Sequence, residues 1–323
     1  MTDPIPHWPG RMITLGSGRQ VWVAEAGGQG GDTQSGGTGR ELVLCAHGMT
    51  GDATNWTDFM AELIPDYDCV AVDLPGSGFS PPPSRRGWSI TAHAATVIEL
   101  VETLNAGPVH LVGNSMGGAV SVRVAARRPD LVRTLTLISA ALPDRRPHRQ
   151  TAHFPVIALP LLGSRLIRQF GRLPVENRIA GVIRTCYYDP AAVHPVRFAL
   201  SAEELRRRDT LPYDVASVAL AARTLVAETL RPYRFSLWRE AELIQMPALV
   251  LFGSHDRLVS PALAGRAART FPNARVEVLP DTGHLGQMEH PATVASLFRE
   301  MVAESDIHAG AAGNSRGADP VDA

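Results

Sequence analysis

The sequence has no lysine, few cysteines and no long apolar run, and each absence narrows what the chain can be. All 31 basic residues among its 323 are arginines, and 32 acidic residues leave a formal net charge of -1. This balance argues against a nucleic-acid partner or a strongly anionic surface as the target. The three cysteines, Cys45, Cys69 and Cys186, are odd in number and widely spaced, which argues against a disulfide framework.

No apolar run approaches about 18 residues, so no membrane span is expected. The first residues include Asp3 and a Trp-Pro-Gly turn instead of an apolar stretch, so the sequence predicts no signal peptide. Together with the cysteine usage, these features predict a cytoplasmic protein. The pattern does not indicate an oligomeric state.

Six short apolar runs alternate with helical patterns from residue 41 onward. The runs are Glu41–Ala46, Cys69–Val72, Val109–Gly113, Thr134–Ser139, Ala248–Phe252 and Arg275–Leu279. Their near-continuous apolar character is typical of parallel strands covered on both faces. Helical patterns lie between them, at 55–64, 89–105, 116–127, 261–270 and 291–303. This alternation predicts an α/β protein with a doubly wound, mostly parallel sheet, preceded by a short hairpin over residues 11–24.

Residues 141–246 break the alternation. They contain no convincing strand, and their prolines and arginine-rich helical patches favour a helical cap inserted into one core domain. The core would consist of residues 1–140 and 247–304, because a strand of the same sheet resumes at Ala248. A second independent domain is the alternative. Glycine-rich residues 27–39 predict a flexible loop, and residues 305–323 predict a disordered tail.

The most informative motif is Gly113-Asn114-Ser115-Met116-Gly117, which directly follows an apolar run. A G-x-S-x-G pattern between a buried strand and a helix is typical of a sharp turn that lifts the serine out of the sheet. We therefore predict that Ser115 is a nucleophile. A serine hydroxyl is a poor nucleophile at neutral pH unless a histidine accepts its proton and a carboxylate orients that histidine.

Asp256 and His284 are the predicted partners of Ser115. Each follows a predicted strand, and the carboxyl ends of parallel strands meet at one edge of a sheet. The chain order Ser, Asp, His also suits this architecture. The rival residues for the two roles are Asp144, Asp281, His255 and His290.

An oxyanion formed on a substrate needs two fixed N–H donors. The backbone N–H of Met116 is one candidate, because the start of a helix leaves donors unpaired. The backbone N–H of Met49, in the loop after the first parallel strand, is the other. His47 in that loop is interpreted as a structural histidine. No histidine cluster has metal-ligand spacing and no G-x-G-x-x-G follows a strand, so we expect neither a metal nor a cofactor.

Five segments together resemble the α/β-hydrolase fold superfamily. They are His47-Gly48, Asp73–Ser80, Gly113–Gly118, Gly253–Asp256 and Gly283-His284. The serine at the turn resembles the esterase branch, and the resemblance implies a hydrolase. The segments around Ser115 and over His284–Glu289 also resemble the carbon–carbon hydrolases of aromatic degradation. Those enzymes often carry tryptophan where Leu285 stands, and more glycine where Met49 and Thr50 stand.

Three functional hypotheses follow. The first is a carboxylesterase that cleaves esters of small to medium apolar substrates through an acyl-enzyme. The second is a carbon–carbon hydrolase that acts on vinylogous diketones with the same triad, and the third is a ligand-binding protein with a vestigial triad. The expected partner is a small-molecule ester. The cluster Arg206–Arg208 is interpreted as a solvated face; the alternative is that one cap arginine holds a substrate carboxylate, as the second hypothesis requires.

Overall fold

A computed structural model describes residues 4–27, 39–84, 87–144, 151 and 154–315 of the chain, with side chains up to residue 307. Most of the predicted flexible loop at 27–39 lies outside the described residues. No described helix combines the length and apolar character that crossing a membrane requires.

Eight strands form one mixed sheet, and most of its pairings are parallel. The strands are β1 Gly10–Thr14, β2 Gln20–Ala26, β3 Leu42–Ala46, β4 Asp68–Val72, β5 Val109–Asn114, β6 Val132–Ile138, β7 Ala248–Gly253 and β8 Ala274–Leu279. Their spatial order is β1-β2-β4-β3-β5-β6-β7-β8. The β1–β2 and β2–β4 pairings are antiparallel, and every pairing from β4 to β8 is parallel. The predicted fold class is therefore confirmed.

Helices cover both faces of this sheet. In chain order they are α1 Thr57–Leu63, α2 Ile90–Leu104, α3 Met116–Arg127, α4 Phe154–Ala158, α5 Leu162–Phe170, α6 Val175–Cys186, α7 Pro195–Asp209, α8 Asp214–Leu230, α9 Leu237–Ala241, α10 Ala264–Thr270, α11 Gly286–Glu289 and α12 Pro291–Ser315. One buried cluster joins the sheet to α2, α3, α9 and α10, and a second joins it to α1 and α12. Because successive strand residues point to opposite faces, β3 sends Leu44 into the first cluster and Cys45 into the second.

The predicted helical insertion lies between β6 and β7. We call residues 154–230, which contain α4 to α8, the cap segment. Its helices pack on one another, α4 and α5 against α8 and α6 against α7. The next helix, α9, packs on α3 instead, and its Trp238 is buried in the main core with its indole N–H on the carbonyl of Pro143 (2.7 Å). The predicted insertion boundary at residue 246 therefore includes a helix that belongs to the core layer.

A buried ion cluster joins the cap segment to the core. Arg123 on α3 is fully buried and donates to both carboxylate oxygens of Glu228, at the end of α8, and of Glu240 on α9. Thr91 accepts a further bond from the same guanidinium (3.1 Å). The helix that begins beside Ser115 is therefore fixed to the last helix of the cap segment.

The prediction of a disordered tail from residue 305 was wrong for its first part. The last helix continues to Ser315, and residues 316–323 lie outside the described residues. Residues 302–313 contain four alanines and Glu304, which favour a helix, although Asp306 and the two glycines disfavour it. The alanines explain why the helix continues in spite of the glycines.

Candidate active site

Ser115 lies at the apex of the turn between β5 and α3. Its backbone angles, φ 52° and ψ −115°, are in a region that side-chain-bearing residues rarely adopt. The turn is tight because the chain passes close behind it: a Cβ added at Gly117 would lie 2.1 Å from the carbonyl oxygen of Ala46. The sequence G-x-S-x-G thus forms the strained strand–turn–helix that the pattern predicts.

Asp256 and His284 meet directly. The imidazole Nδ1 lies 2.8 Å from Asp256 Oδ2, and both side chains are buried. The other carboxylate oxygen accepts the backbone N–H groups of Leu258 (2.8 Å) and Val259 (3.0 Å). Burial alone would raise the pKa of Asp256, but the charge and hydrogen bond of His284 and these two N–H groups outweigh it, so its pKa lies below the ordinary value. An ionised carboxylate on Nδ1 leaves Nε2 as the proton acceptor.

Ser115 and His284 line the same cavity. Asn114, the residue before Ser115, links them, because its side-chain amide donates to the carbonyl of Ile138 (3.0 Å) and to that of His284 (3.1 Å). Among the described residues, no hydrogen bond joins Ser115 Oγ to the imidazole. Such bonds are often long without substrate and shorten in the reacting complex.

Two backbone segments flank the Ser115 side chain as possible oxyanion donors. Met116 is the first residue of α3, so its N–H has no acceptor within the helix. The loop after β3 also passes close to the serine: a Cβ at Gly48 would lie 3.0 Å from Ser115 Cβ and 3.6 Å from its Oγ. Met49 follows in that loop and lines the cavity. The segments that carry the two predicted donors therefore both lie next to Ser115.

The rival residues have other contacts. His255 is exposed and packs on the ring of Tyr188, and His290 contacts the carbonyl of Asp281. Asp144 lines the cavity, whereas the Nδ1 partner of His284 is Asp256. His47 is buried with one ring nitrogen on the Gly48 carbonyl and the other accepting the N–H of Leu74, as a structural histidine would be. Burial lowers the pKa of His47.

The end of α6 holds the loop that carries His284, a contact that the sequence analysis did not predict. The backbone N–H of His284 donates to the carbonyl of Cys186 (2.6 Å). The Glu289 carboxylate accepts the N–H of Tyr188 (2.7 Å) with one oxygen and that of Gly283 (2.9 Å) with the other. Burial raises the pKa of Glu289, although these backbone N–H groups act to lower it. The position of the histidine loop therefore depends on the cap segment.

A cavity of about 1770 Å³ separates the cap segment from the carboxyl ends of the strands. Several cap arginines line it, and each of four is paired with a carboxylate. The pairs are Arg178–Asp209, Arg197–Asp58, Arg207–Glu204 and Arg208–Asp214. Arg207 and Arg208 also donate to backbone carbonyls of core loops, those of Gly78 and Thr50 (both 2.7 Å). The interpretation of Arg206–Arg208 as a solvated face was wrong for the last two, because α7 turns them toward the core.

The chain is similar in sequence and in fold to several known proteins. The model of a family described as "alpha/beta hydrolase fold" matches residues 41–291. A 2-hydroxy-6-oxononadienedioate/2-hydroxy-6-oxononatrienedioate hydrolase of Burkholderia vietnamiensis is 29% identical over 83% of this chain and 88% of its own length. The dihydrolipoyllysine-residue acetyltransferase component of an acetoin cleaving system from Pseudomonas putida is 31% identical over 84% of this chain and 64% of its own. The structure of 2-hydroxy-6-oxo-6-phenylhexa-2,4-dienoate hydrolase from a Rhodococcus strain superposes with a TM-score of 0.71 at 19% identity, over 91% of this chain and all of that one.

Proposed function

We propose that this chain, which belongs to the α/β-hydrolase fold family, is a serine hydrolase that cleaves the carbon–carbon bond beside a ketone in a vinylogous diketone. We choose a carbon–carbon bond over an ester because of the similarity to the relative from Burkholderia vietnamiensis. That relative is named as a dienedioate hydrolase and aligns over 88% of its length. The sequence analysis placed ester cleavage first. The names of the relatives support the second hypothesis better.

In this proposal His284 Nε2 takes the proton of Ser115, and the alkoxide attacks the ketone carbon. The backbone N–H groups of Met116 and Met49 stabilise the resulting oxyanion. When the intermediate collapses, the carbon–carbon bond breaks and its electron pair passes into the conjugated enolate of the vinylogous diketone. That enolate takes the proton that His284 had accepted from Ser115, which leaves the imidazole neutral again. Water attacks the acyl group left on Ser115, with His284 again as the base, and releases a carboxylic acid.

A dienoate substrate also needs a cation for its carboxylate, and the cavity wall offers one. Arg178 and Arg197 line the cavity, and each keeps a buried Nε–H that has no acceptor among the described residues. Arg197 is 12% exposed, and its terminal nitrogens contact Asp58 and His7. Because this Nε–H is buried, a substrate carboxylate accepts it only after the side chain turns toward the cavity, and it then forms a charge-assisted hydrogen bond. We therefore propose Arg197 as a substrate-binding residue.

Ester cleavage is the second candidate, because the residues beside His284 favour it. Leu285 and Met288 line the cavity next to the imidazole and give that wall an apolar character. The acidic partners already offset the charge of the paired arginines. An ester needs no carboxylate-binding group, since its leaving alkoxide takes a proton from His284 directly.

A parallel assay distinguishes the candidates. We expect the purified protein to cleave 2-hydroxy-6-oxo-6-phenylhexa-2,4-dienoate with a kcat/KM at least about tenfold above that for 4-nitrophenyl butyrate, and Ser115→Ala to abolish both reactions. Arg197→Gln should raise KM for the dienoate by about tenfold and leave KM for the ester unchanged. The matched control is Arg206→Gln, because Arg206 is exposed on the same helix. A preference for the ester would favour the second candidate, and turnover of neither by a protein whose Ser115 is unreactive would favour a binding protein.

A further inference from the structure

Exposed apolar side chains are concentrated in one stretch of the cap segment. Nineteen large apolar side chains are exposed in the described part of the chain, and six of them fall within residues 159–173. They are Leu159, Leu161, Leu162, Leu166, Phe170 and Leu173, and we call them the α5 patch. Leu161 is 85% exposed. A monomeric protein rarely leaves such a cluster in water without a use for it.

The patch follows from the amphipathic sequence of α5. Leu162, Leu166 and Phe170 are spaced four residues apart, so they form one stripe along the helix. The helix meets the rest of the cap segment through a different face: a Cβ at Gly163 would lie only 1.8 Å from the carbonyl oxygen of Ile157. The stripe is therefore turned away from the contact that holds the helix in place.

Positive charge surrounds the patch. Arg165, Arg168 and Arg172 belong to the same stretch, and the sequence has no Asp or Glu between Asp144 and Glu176. No carboxylate of the described residues pairs with these three arginines, in contrast to the paired arginines of α7. The net charge of -1, which argued against an anionic surface as the target, therefore averages over a strongly uneven distribution.

The patch also borders the cavity of Ser115. Leu166 and Phe170 line that cavity as well as the surface, together with Arg168 and Arg172. An apolar molecule that leaves a surface in contact with the patch would thus reach the cavity without crossing bulk water.

We propose that the α5 patch docks on an anionic lipid surface, with its leucines and phenylalanine in the acyl boundary and its arginines on the lipid phosphates. An interfacial helix combines these two features. A second copy of the chain fits less well, because a two-fold contact would place the patch against itself and bring arginines toward arginines. This inference goes beyond the proposed function and does not depend on which bond the enzyme cleaves.

Vesicle sedimentation tests the inference. We expect the protein to sediment with vesicles of phosphatidylcholine and phosphatidylglycerol in equal parts, and to bind those of phosphatidylcholine alone at least tenfold more weakly. Leu161→Ser/Leu162→Ser should lower the partition coefficient at least about tenfold, and Arg165→Gln about fivefold. None of these three residues lines the cavity, so hydrolysis of a water-soluble substrate should stay unchanged. That activity also shows that the variants are folded.

The control is Ile307→Ser, which removes an apolar side chain that is 70% exposed from α12 and should sediment like the unmodified protein. Three results would overturn the proposal. The first is an absence of sedimentation with the anionic vesicles, and the second is equal sedimentation of all variants. The third is a dimer in light scattering that the double leucine variant dissociates while vesicle binding stays absent, which would assign the patch to a second copy.

Discussion

We predict that Arg123→Met destabilises the protein by about 3–5 kcal/mol without altering a catalytic residue. The Arg123 side chain is fully buried and forms ion pairs with Glu228 (2.8 Å) and Glu240 (2.9 Å). Methionine is long enough to occupy much of the same space, but it leaves two carboxylates without their shared cation. Because Glu228 is only 3% exposed, water replaces the lost partner poorly.

The size of the effect follows from the contacts. Arg123 donates three N–H groups to the two carboxylates, with its Nε–H shared by both oxygens of Glu240, and each bond to a charged group contributes about 1.5–3 kcal/mol. Two features lower the sum: Arg231 lies 3.2 Å from Glu228, and Glu240 is 18% exposed. Replacement of the whole cluster by apolar residues avoids the unpaired charges, so Arg123→Met/Glu228→Leu/Glu240→Leu should recover at least half of the loss.

Urea denaturation measures both variants. The midpoint for Arg123→Met should fall while the slope m stays unchanged, since the surface exposed on unfolding is the same. The matched control is Arg128→Met, one residue beyond α3, whose ion pairs with Asp130 and Glu102 are exposed; its midpoint should not move. A loss below about 1 kcal/mol for Arg123→Met, or a triple variant as unstable as the single one, would refute this reasoning.

Three further predictions concern the site and the core. Asp256→Asn should lower kcat by about 10⁴, because an amide holds the wrong histidine tautomer. Steady-state kinetics measures this loss, with Asp281→Asn as a control that should retain full activity, and an equally active Asp256→Asn variant would contradict the role of Asp256. Gly117→Ala places a Cβ 2.1 Å from a backbone oxygen of β3 and should lower both activity and the melting temperature, whereas Gly16→Ala, in a turn where nothing lies within 4 Å of the added Cβ, should lower neither. Burial lowers the pKa of His93 from 6.5 to about 4. Between those pH values the unfolded chain binds a proton that the folded protein does not, so the free energy of unfolding decreases as the pH is lowered, by up to about 3 kcal/mol. His93→Leu should flatten that dependence in urea titrations at both ends of the range, and an unchanged slope would contradict it.

The sheet could be predicted from the sequence because its strands are buried on both faces. A run such as Ala248–Phe252 is apolar without interruption, and the observed strand differs from it by one residue. Val109 is likewise the observed start of β5. The motif at Ser115 could also be located from the sequence, because its pattern lies within five consecutive residues between a strand and a helix.

The carboxylate partner of His284 could also be predicted from the sequence. Asp256 follows one strand and His284 follows the next, so the parallel pairing of β7 and β8 brings their ends together. The competing residue Asp281 is excluded only by the structure, in which it is exposed and has a positive φ of 47°. The sequence pattern thus reduced the candidates for the carboxylate partner of His284 to a few residues, and the side-chain directions in the structure identify Asp256.

The contacts between the cap segment and the core could not be predicted, because each joins residues far apart in the chain. Nothing near Glu289 indicates that its carboxylate will accept the N–H of Tyr188. The pairing of Arg123 with Glu228 and Glu240 could not be predicted either, because no local sequence pattern distinguishes a buried arginine from an exposed one. Such contacts depend on how the helices pack, which periodicity alone does not specify.

In the proposed mechanism, His284, held by Asp256, makes the hydroxyl of Ser115 nucleophilic. The most direct test is to treat the protein with a fluorophosphonate and to locate the adduct by peptide mass spectrometry. We expect a single adduct on Ser115, formed at least about 10³-fold more slowly in His284→Ala. An unlabelled Ser115, or labelling at the same rate in that variant, would contradict it.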